Sequence, residues 1–229
     1  MGKLQGQSSF FVPGPPALPG EAHKPLVEFL LREVRGETVF DLGGGRGAYS
    51  LELKKAGFNT TVVDINEESL AVAEQYGLKT RLLEPGEPLG ENLADTVMMI
   101  EVLEHVPNPV EFLKSAMGAA KKRVVFSLPC TNDFKTLFEC GLTYAHIAVS
   151  DHLSHFSYDE MKQLLDSLGV EYRLTMGDYL FPGAGIKLLR DCFRGPLGFV
   201  MMLPFRVLNK LGLIPKRYPS RFYGVIEKR

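Results

Sequence analysis

Cysteine is scarce in this chain. Three residues, Cys130, Cys140 and Cys192, stand apart among 229, and no CxxC pair occurs. An odd, unpatterned count reads as free thiols in a reducing compartment. None is placed as a nucleophile, and core filling is the better role. Long apolar runs are also missing: nothing approaches the ~18 residues that span a bilayer. Phe10 and Phe11 lead into "VPGPPALPG" instead of a continuous apolar signal region. The expectation is a soluble, cytoplasmic protein. A net charge of one sign is absent too, with 26 Lys/Arg against 27 Asp/Glu. The distribution is uneven, however. From Ile186 onward ten basic residues face two acids, a local +8, so the first 185 residues carry 16 against 25, or −9. No internal repeat appears, and residues 1–20 form a Gly/Pro-rich, irregular arm.

What is present suffices for a sizeable core: 45% hydrophobic and 23% charged residues. The length suits one large single-sheet domain, residues 21–229, with room for an insertion at about 183–219. Residues 21–35 space Leu26, Phe29, Leu30 and Val34 as the apolar face of a helix. "TVFDLG" reads as a buried strand. Residues 47–56 form a helix closed by Gly57. "NTTVVDIN" is a strand, "EESLAVAEQYG" a helix, "LKTRLLE" a strand, and the almost wholly apolar "ADTVMMIE" a strand covered on both faces. "NPVEFLKSAMGAA" is a helix and "KRVVFSLP" a fifth strand. Ser157 and Glu160 form a capping box before the next helix. "VEYRLTMGDYLF" and "SRFYGVIEKR" supply the final strands. Strand–helix alternation predicts an α/β, doubly wound, mainly parallel sheet.

The stretch "VFDLGGGRGAYS", residues 39–50, carries the chemistry. Read as G-x-G-x-x-A through Gly43, Gly45 and Ala48, it fits a dinucleotide loop, with Asp64 about 20 residues on. Asp41 argues against that ligand. A glycine turn at a helix start receives phosphate, and a carboxylate two positions before the first glycine repels it. S-adenosylmethionine reverses the sign, because it carries an ammonium and a sulfonium. Asp41 can hold the ammonium, the loop amides can face the methionine carboxylate, and Asp64 can accept both ribose hydroxyls.

"DLGGGRG", "VVDIN", "ADTVMMIEVLEHVPNP" and "VVFSLP", in that order, resemble the class I S-adenosylmethionine-dependent methyltransferases, in the broad group that includes the ubiquinone-biosynthesis O-methyltransferases. The resemblance covers roughly residues 25–180 and the last strand. It implies seven strands, the last antiparallel and inserted between the fifth and sixth. It implies that Asp41, Gly43 and Gly45 contact the methionine part and Asp64, with Ile65 beside it, the ribose. Leu83 and Glu84 would lie near the adenine, and Glu101 would border the methionine and the acceptor. The run "LLEPGEPLGENL" departs from the acid-small pair common there.

"EVLEHVPNP" places Glu101, Glu104 and His105 together, and "DHLSHFSYDE" adds His152 and His155. On a helix, Glu101 and His105 would share a face at i, i+4. In one reading His105, His152 and His155 are candidate bases in an acceptor pocket. An oxygen nucleophile needs such a base near neutrality, while the protein otherwise aligns the reactants. In a second reading Glu101, Glu104, His105 and His152 hold a divalent metal, with Mn²⁺ or Co²⁺ better matched than Mg²⁺. That set is similar to the small-RNA 3′-terminal 2′-O-methyltransferases. A cofactor- or partner-binding module without turnover is a third reading. The basic, apolar insertion reads as a cover over the pocket, as an element leaning on a membrane surface, as a partner for RNA phosphates, or as an ordinary helical subdomain. The expected function is methyl transfer from S-adenosylmethionine to a small acceptor, an apolar one being compatible with the insertion.

Overall fold

Each glycine-closed strand–helix unit packs as the alternation requires, because parallel neighbours need a crossover helix between them. The computed structural model describes residues 17–84, 86–131, 152–179, 207 and 219–228. The strands are β1 (Thr38–Leu42), β2 (Asn59–Asp64), β3 (Lys79–Leu82), β4 (Ala94–Ile100), β5 (Ala120–Pro129), β6 (Glu171–Tyr179) and β7 (Pro219–Glu227). The helices are α1 (Lys24–Glu33), α2 (Ala48–Lys55), α3 (Glu67–Gln75), α4 (Pro109–Ala119) and α5 (Tyr158–Ser167). One sheet holds all seven strands in the order β3-β2-β1-β4-β5-β7-β6. β7 runs antiparallel to both β5 and β6, while the β1–β5 pairings are parallel. The expected sheet and the place of its last strand are the ones found.

β4 shows why its sequence is apolar throughout. Val97 and Met99 enter a core cluster with Leu113 and Ala116 of α4 and Met161 and Leu165 of α5. Met98 and Ile100 enter another with Leu26, Phe29 and Leu30 of α1. Alternate side chains of one strand are thus buried under different helices. The helix starts follow local chemistry. Asn66 and Asn108 cap α3 and α4 by accepting from Ser69 N–H and Glu111 N–H. Ser157 and Glu160 form the predicted capping box of α5.

The arm predicted at residues 1–20 lies mostly outside the described residues; Leu18 to Glu21 form a turn, with Glu21 N–H donating to Leu18 O. The insertion expected at 183–219 also lies outside them, save Val207 and Pro219. One local expectation is corrected. "EVLEH" is not a helix presenting Glu101 and His105 on one face. Glu101 has a left-handed φ of 55°, and only Leu103–His105 make a single 3-10 turn. The chain therefore bends sharply at the end of β4.

Candidate active site

The carboxyl ends of the parallel strands meet a crevice at the point where strand order reverses, between β1 and β4, which is where ligands bind in such sheets. The glycine loop lies there. Gly43 donates its N–H to Val63 O at 2.7 Å, and Gly45 donates to Asp64 Oδ2 at 2.7 Å. Gly43 and Gly47 have φ of 74° and 78°. A Cβ on Gly43 would stand 2.7 Å from Val102, and one on Gly47 would stand 2.4 Å from Leu78. Glycine is required at both positions by conformation and by space.

Asp41 lies on β1 between Val62 and Met98 of its neighbours and is buried. Its Oδ2 accepts from Ser50 Oγ at 2.8 Å. Burial pushes its carboxyl up to about 7; the Ser50 bond opposes this and the nearby Asp64 charge adds to it. Such a group is poised to ionise when a cation arrives. Asp64 is oriented by two backbone donors, Gly45 N–H on one oxygen and Asn66 N–H on the other at 2.9 Å. Each oxygen keeps a lone pair for a further donor. Ile65, 71% exposed, follows it as an apolar surface. Leu83 N–H bonds Asp64 O at 2.9 Å, which brings the exposed Glu84 to the same edge; Glu84 N–H donates to Glu87 Oε2. Asp41, Gly43, Gly45, Asp64, Ile65 and Glu84 thus line the ends of β1, β2 and β3.

Glu101 stands apart from the other proposed metal ligands. Arg221 of β7 grips its two oxygens, Nε to Oε1 at 3.0 Å and Nη2 to Oε2 at 3.1 Å, and Ser127 Oγ donates to Oε1 at 2.9 Å. Arg221 also bonds Asp178 of β6. The other three residues of that set do converge. Glu104, His105 and His152 bring candidate ligand atoms within 4.8 Å of one another. Glu104 is buried, and its carbonyl accepts from Leu153 and Ser154 N–H at 2.7 and 3.1 Å, which fastens the 152–156 segment across the end of β4. The His105 and His152 rings meet edge-on, with centroids 4.8 Å apart, and His155 lies 6.2 Å beyond His152. A carboxylate with adjoining imidazoles can accept a proton from a hydroxyl or ligate a divalent ion.

Sequence reasoning missed Arg221, Asp178, Ser127 and Ser50. Ser50 had a local signal, since it follows the glycine loop on the first turns of α2. The others are brought in by strand pairing and had none. A cavity of about 240 Å³ lies away from this crevice, at the other end of β5, β7 and β6, among Met117, Val124, Val170 and Ile226. No helix among the described residues is long and apolar enough to cross a membrane.

The model of the methyltransferase domain family matches residues 18–174, most of the chain. A ubiquinone biosynthesis O-methyltransferase of Hydrogenovibrio crunogenus is 34% identical over 115 residues, covering 44% of this chain and 48% of that protein. The chain spans about half the length of the curated relatives it matches first. Among solved structures, a SAM-dependent methyltransferase from Archaeoglobus fulgidus superposes with a TM-score of 0.60 at 18% identity, over 90% of this chain and 94% of that one. The magnesium protoporphyrin IX methyltransferase of Synechocystis PCC 6803 with bound SAH gives 0.56 at 17% identity, over 90% and 81%. These two share the fold. With the family model across the glycine loop, the crevice and α5, the chain belongs to the methyltransferase domain family of class I S-adenosylmethionine-dependent enzymes.

Proposed function

We propose that this chain catalyses methyl transfer from S-adenosylmethionine to an oxygen of a small acceptor lying over the ends of β4 and β5. The observation that carries the reading is Asp41, a buried carboxyl at about 7 beside a glycine loop. That pairing suits an ammonium and repels a diphosphate. Asp41 would hold the ammonium, and Gly43 and Gly45, whose N–H groups are given to Val63 O and Asp64 Oδ2, would let the loop backbone approach the methionine end closely. Asp64 would accept the ribose hydroxyls, with Ile65 and Glu84 toward the adenine and the backbone of Glu101 at the methionine side. S-adenosylmethionine, when bound, supplies an activated sulfonium methyl, so the protein's work is alignment and proton removal. An imidazole among His105, His152 and His155 would take the acceptor's hydroxyl proton, and the methyl–sulfur bond of the donor would break as the methyl–oxygen bond forms, leaving the neutral thioether. Oxygen is preferred as acceptor atom because matched relatives carry the name ubiquinone biosynthesis O-methyltransferase. Isothermal calorimetry with S-adenosylhomocysteine tests the cofactor site: Asp64→Ala should weaken binding at least tenfold, about 1.4 kcal/mol, with its melting transition intact. Undiminished affinity would remove Asp64 from the site.

A second reading is favoured by the convergence of Glu104, His105 and His152. One carboxylate and two imidazoles fit Mn²⁺ or Co²⁺. Bound there, a divalent ion would acidify an acceptor hydroxyl and reduce the need for a base. Titration of Mn²⁺ into the chelator-treated protein decides between them. Saturable binding that Glu104→Gln abolishes supports the metal reading. Full methyl transfer in chelator with no Mn²⁺ binding leaves the histidines as bases.

A further inference from the structure

Two acids hold the same arginine, and both have left-handed backbones. Glu101 directly follows β4 at φ 55°, and Asp178 lies near the end of β6 at φ 51°. For residues other than glycine this conformation is strained and persists only where surroundings enforce it. Arg221 reaches both, forking onto the two Glu101 oxygens and bonding Asp178. Ser127 adds its hydroxyl to Glu101, and His23, at the start of α1, places Nδ1 3.5 Å from Asp178 Oδ2. Arg221 is four-fifths buried, so the fork is shielded from water and is not an ordinary surface pair.

The turn at Glu101 has consequences on both sides of the crevice. The next residue, Val102, packs where a Gly43 side chain would be, 2.7 Å from the built Cβ position. Two residues on, Glu104 and His105 turn toward His152. An extended residue at 101 would send the chain elsewhere and move both. The carboxylate of Glu101 is directed at Arg221 and Ser127, so its use is in fixing the backbone.

We infer that Arg221 is a positioning residue of the methyl-transfer site: by gripping Glu101 it holds the left-handed turn that seats Val102 on the glycine loop and aims Glu104 and His105 at the acceptor. This inference rests on reading the crevice as the S-adenosylmethionine site.

The test uses S-adenosylhomocysteine binding by calorimetry, with melting curves as a fold control. Wild-type chain that bound none would overturn the site reading and the inference together; failure of the inference alone shows only in the variants. Arg221→Met should weaken binding at least tenfold. Adding Glu101→Gly in that background should recover most of the loss, because glycine holds the turn untethered. Adding Glu101→Ala removes the same charge but not the strain, and should remain roughly tenfold weaker than the glycine variant. Equal recovery by alanine would mean that the effect was only an unpaired buried charge, and would overturn the inference. Unchanged binding by Arg221→Met would overturn it as well. If Arg221→Met does not fold, Arg221→Lys decides, because lysine keeps the charge but not the fork onto both Glu101 oxygens: a loss of threefold or more supports the inference, and unchanged binding overturns it.

Discussion

Asp41 concentrates the electrostatics of the site in one side chain. Folding buries it and carries its carboxyl from an ordinary 3.8 to about 7, burial being the main cause. The native state therefore holds this proton more tightly than the unfolded chain. Its contribution to stability falls as pH rises through that window, up to a limit of about 4 kcal/mol above it. The Asp41→Asn substitution keeps an acceptor for the Ser50 hydroxyl and removes the titration. Without cofactor, the variant should gain stability relative to wild type as pH rises from about 4 to about 8, by a few kcal/mol at most, in urea denaturation followed across pH. The ligand acts in the opposite sense. An ammonium at Asp41 favours the ionised form, so S-adenosylhomocysteine affinity should fall as pH drops below 7, by up to about tenfold per pH unit, in wild type and not in the variant. A pH-independent affinity in wild type would place the ammonium elsewhere. Asp41 is visible in the sequence because its charge and its distance from a glycine are enough to single it out. Its depth of burial is not visible there, since the neighbouring strands create it.

At the scale of elements, legibility follows the range of the interactions that fix each one. α5 is readable because its start is local: Ser157 and Glu160 satisfy each other's backbone three residues apart. Ser157→Ala should cost about 1 kcal/mol of global stability, measured by urea denaturation, with S-adenosylhomocysteine affinity unchanged, since α5 packs Met161 and Leu165 into the core. The end of β4 misleads for the converse reason. "EVLEH" has helical spacing, but its backbone is set by Arg221, 120 residues away in sequence. A local pattern cannot announce a partner delivered by an antiparallel strand that returns between β5 and β6. His152 and His155 are legible as neighbours because sequence proximity joins them, while the fold brings His105 against His152. The exclusion of Glu101 from their group is not legible.

At the scale of the molecule, the sheet separates two sets of groups that meet over β4. Asp41, Gly43, Gly45 and Asp64 come from β1 and β2. Glu104, His105 and His152 follow β4 and β5 and share no residue with the first set. If the first binds cofactor and the second a divalent ion, each ligand should stabilise the fold by its own linkage, about 2.7 kcal/mol at a hundredfold excess over its Kd. Sites that share no partner add within about 0.5 kcal/mol. Thermal or urea unfolding should therefore give S-adenosylhomocysteine and Mn²⁺ increments that sum when both are present. Glu104→Gln should erase the Mn²⁺ increment and keep the other, and Asp64→Ala should do the reverse. Loss of the Mn²⁺ increment in Asp64→Ala would mean that the ion rides on the bound cofactor, and the two-site division of the crevice would fail. Persistence of each increment in the other's variant would instead show a donor half and an acceptor half that one topology holds in register, with the Glu101 turn between them.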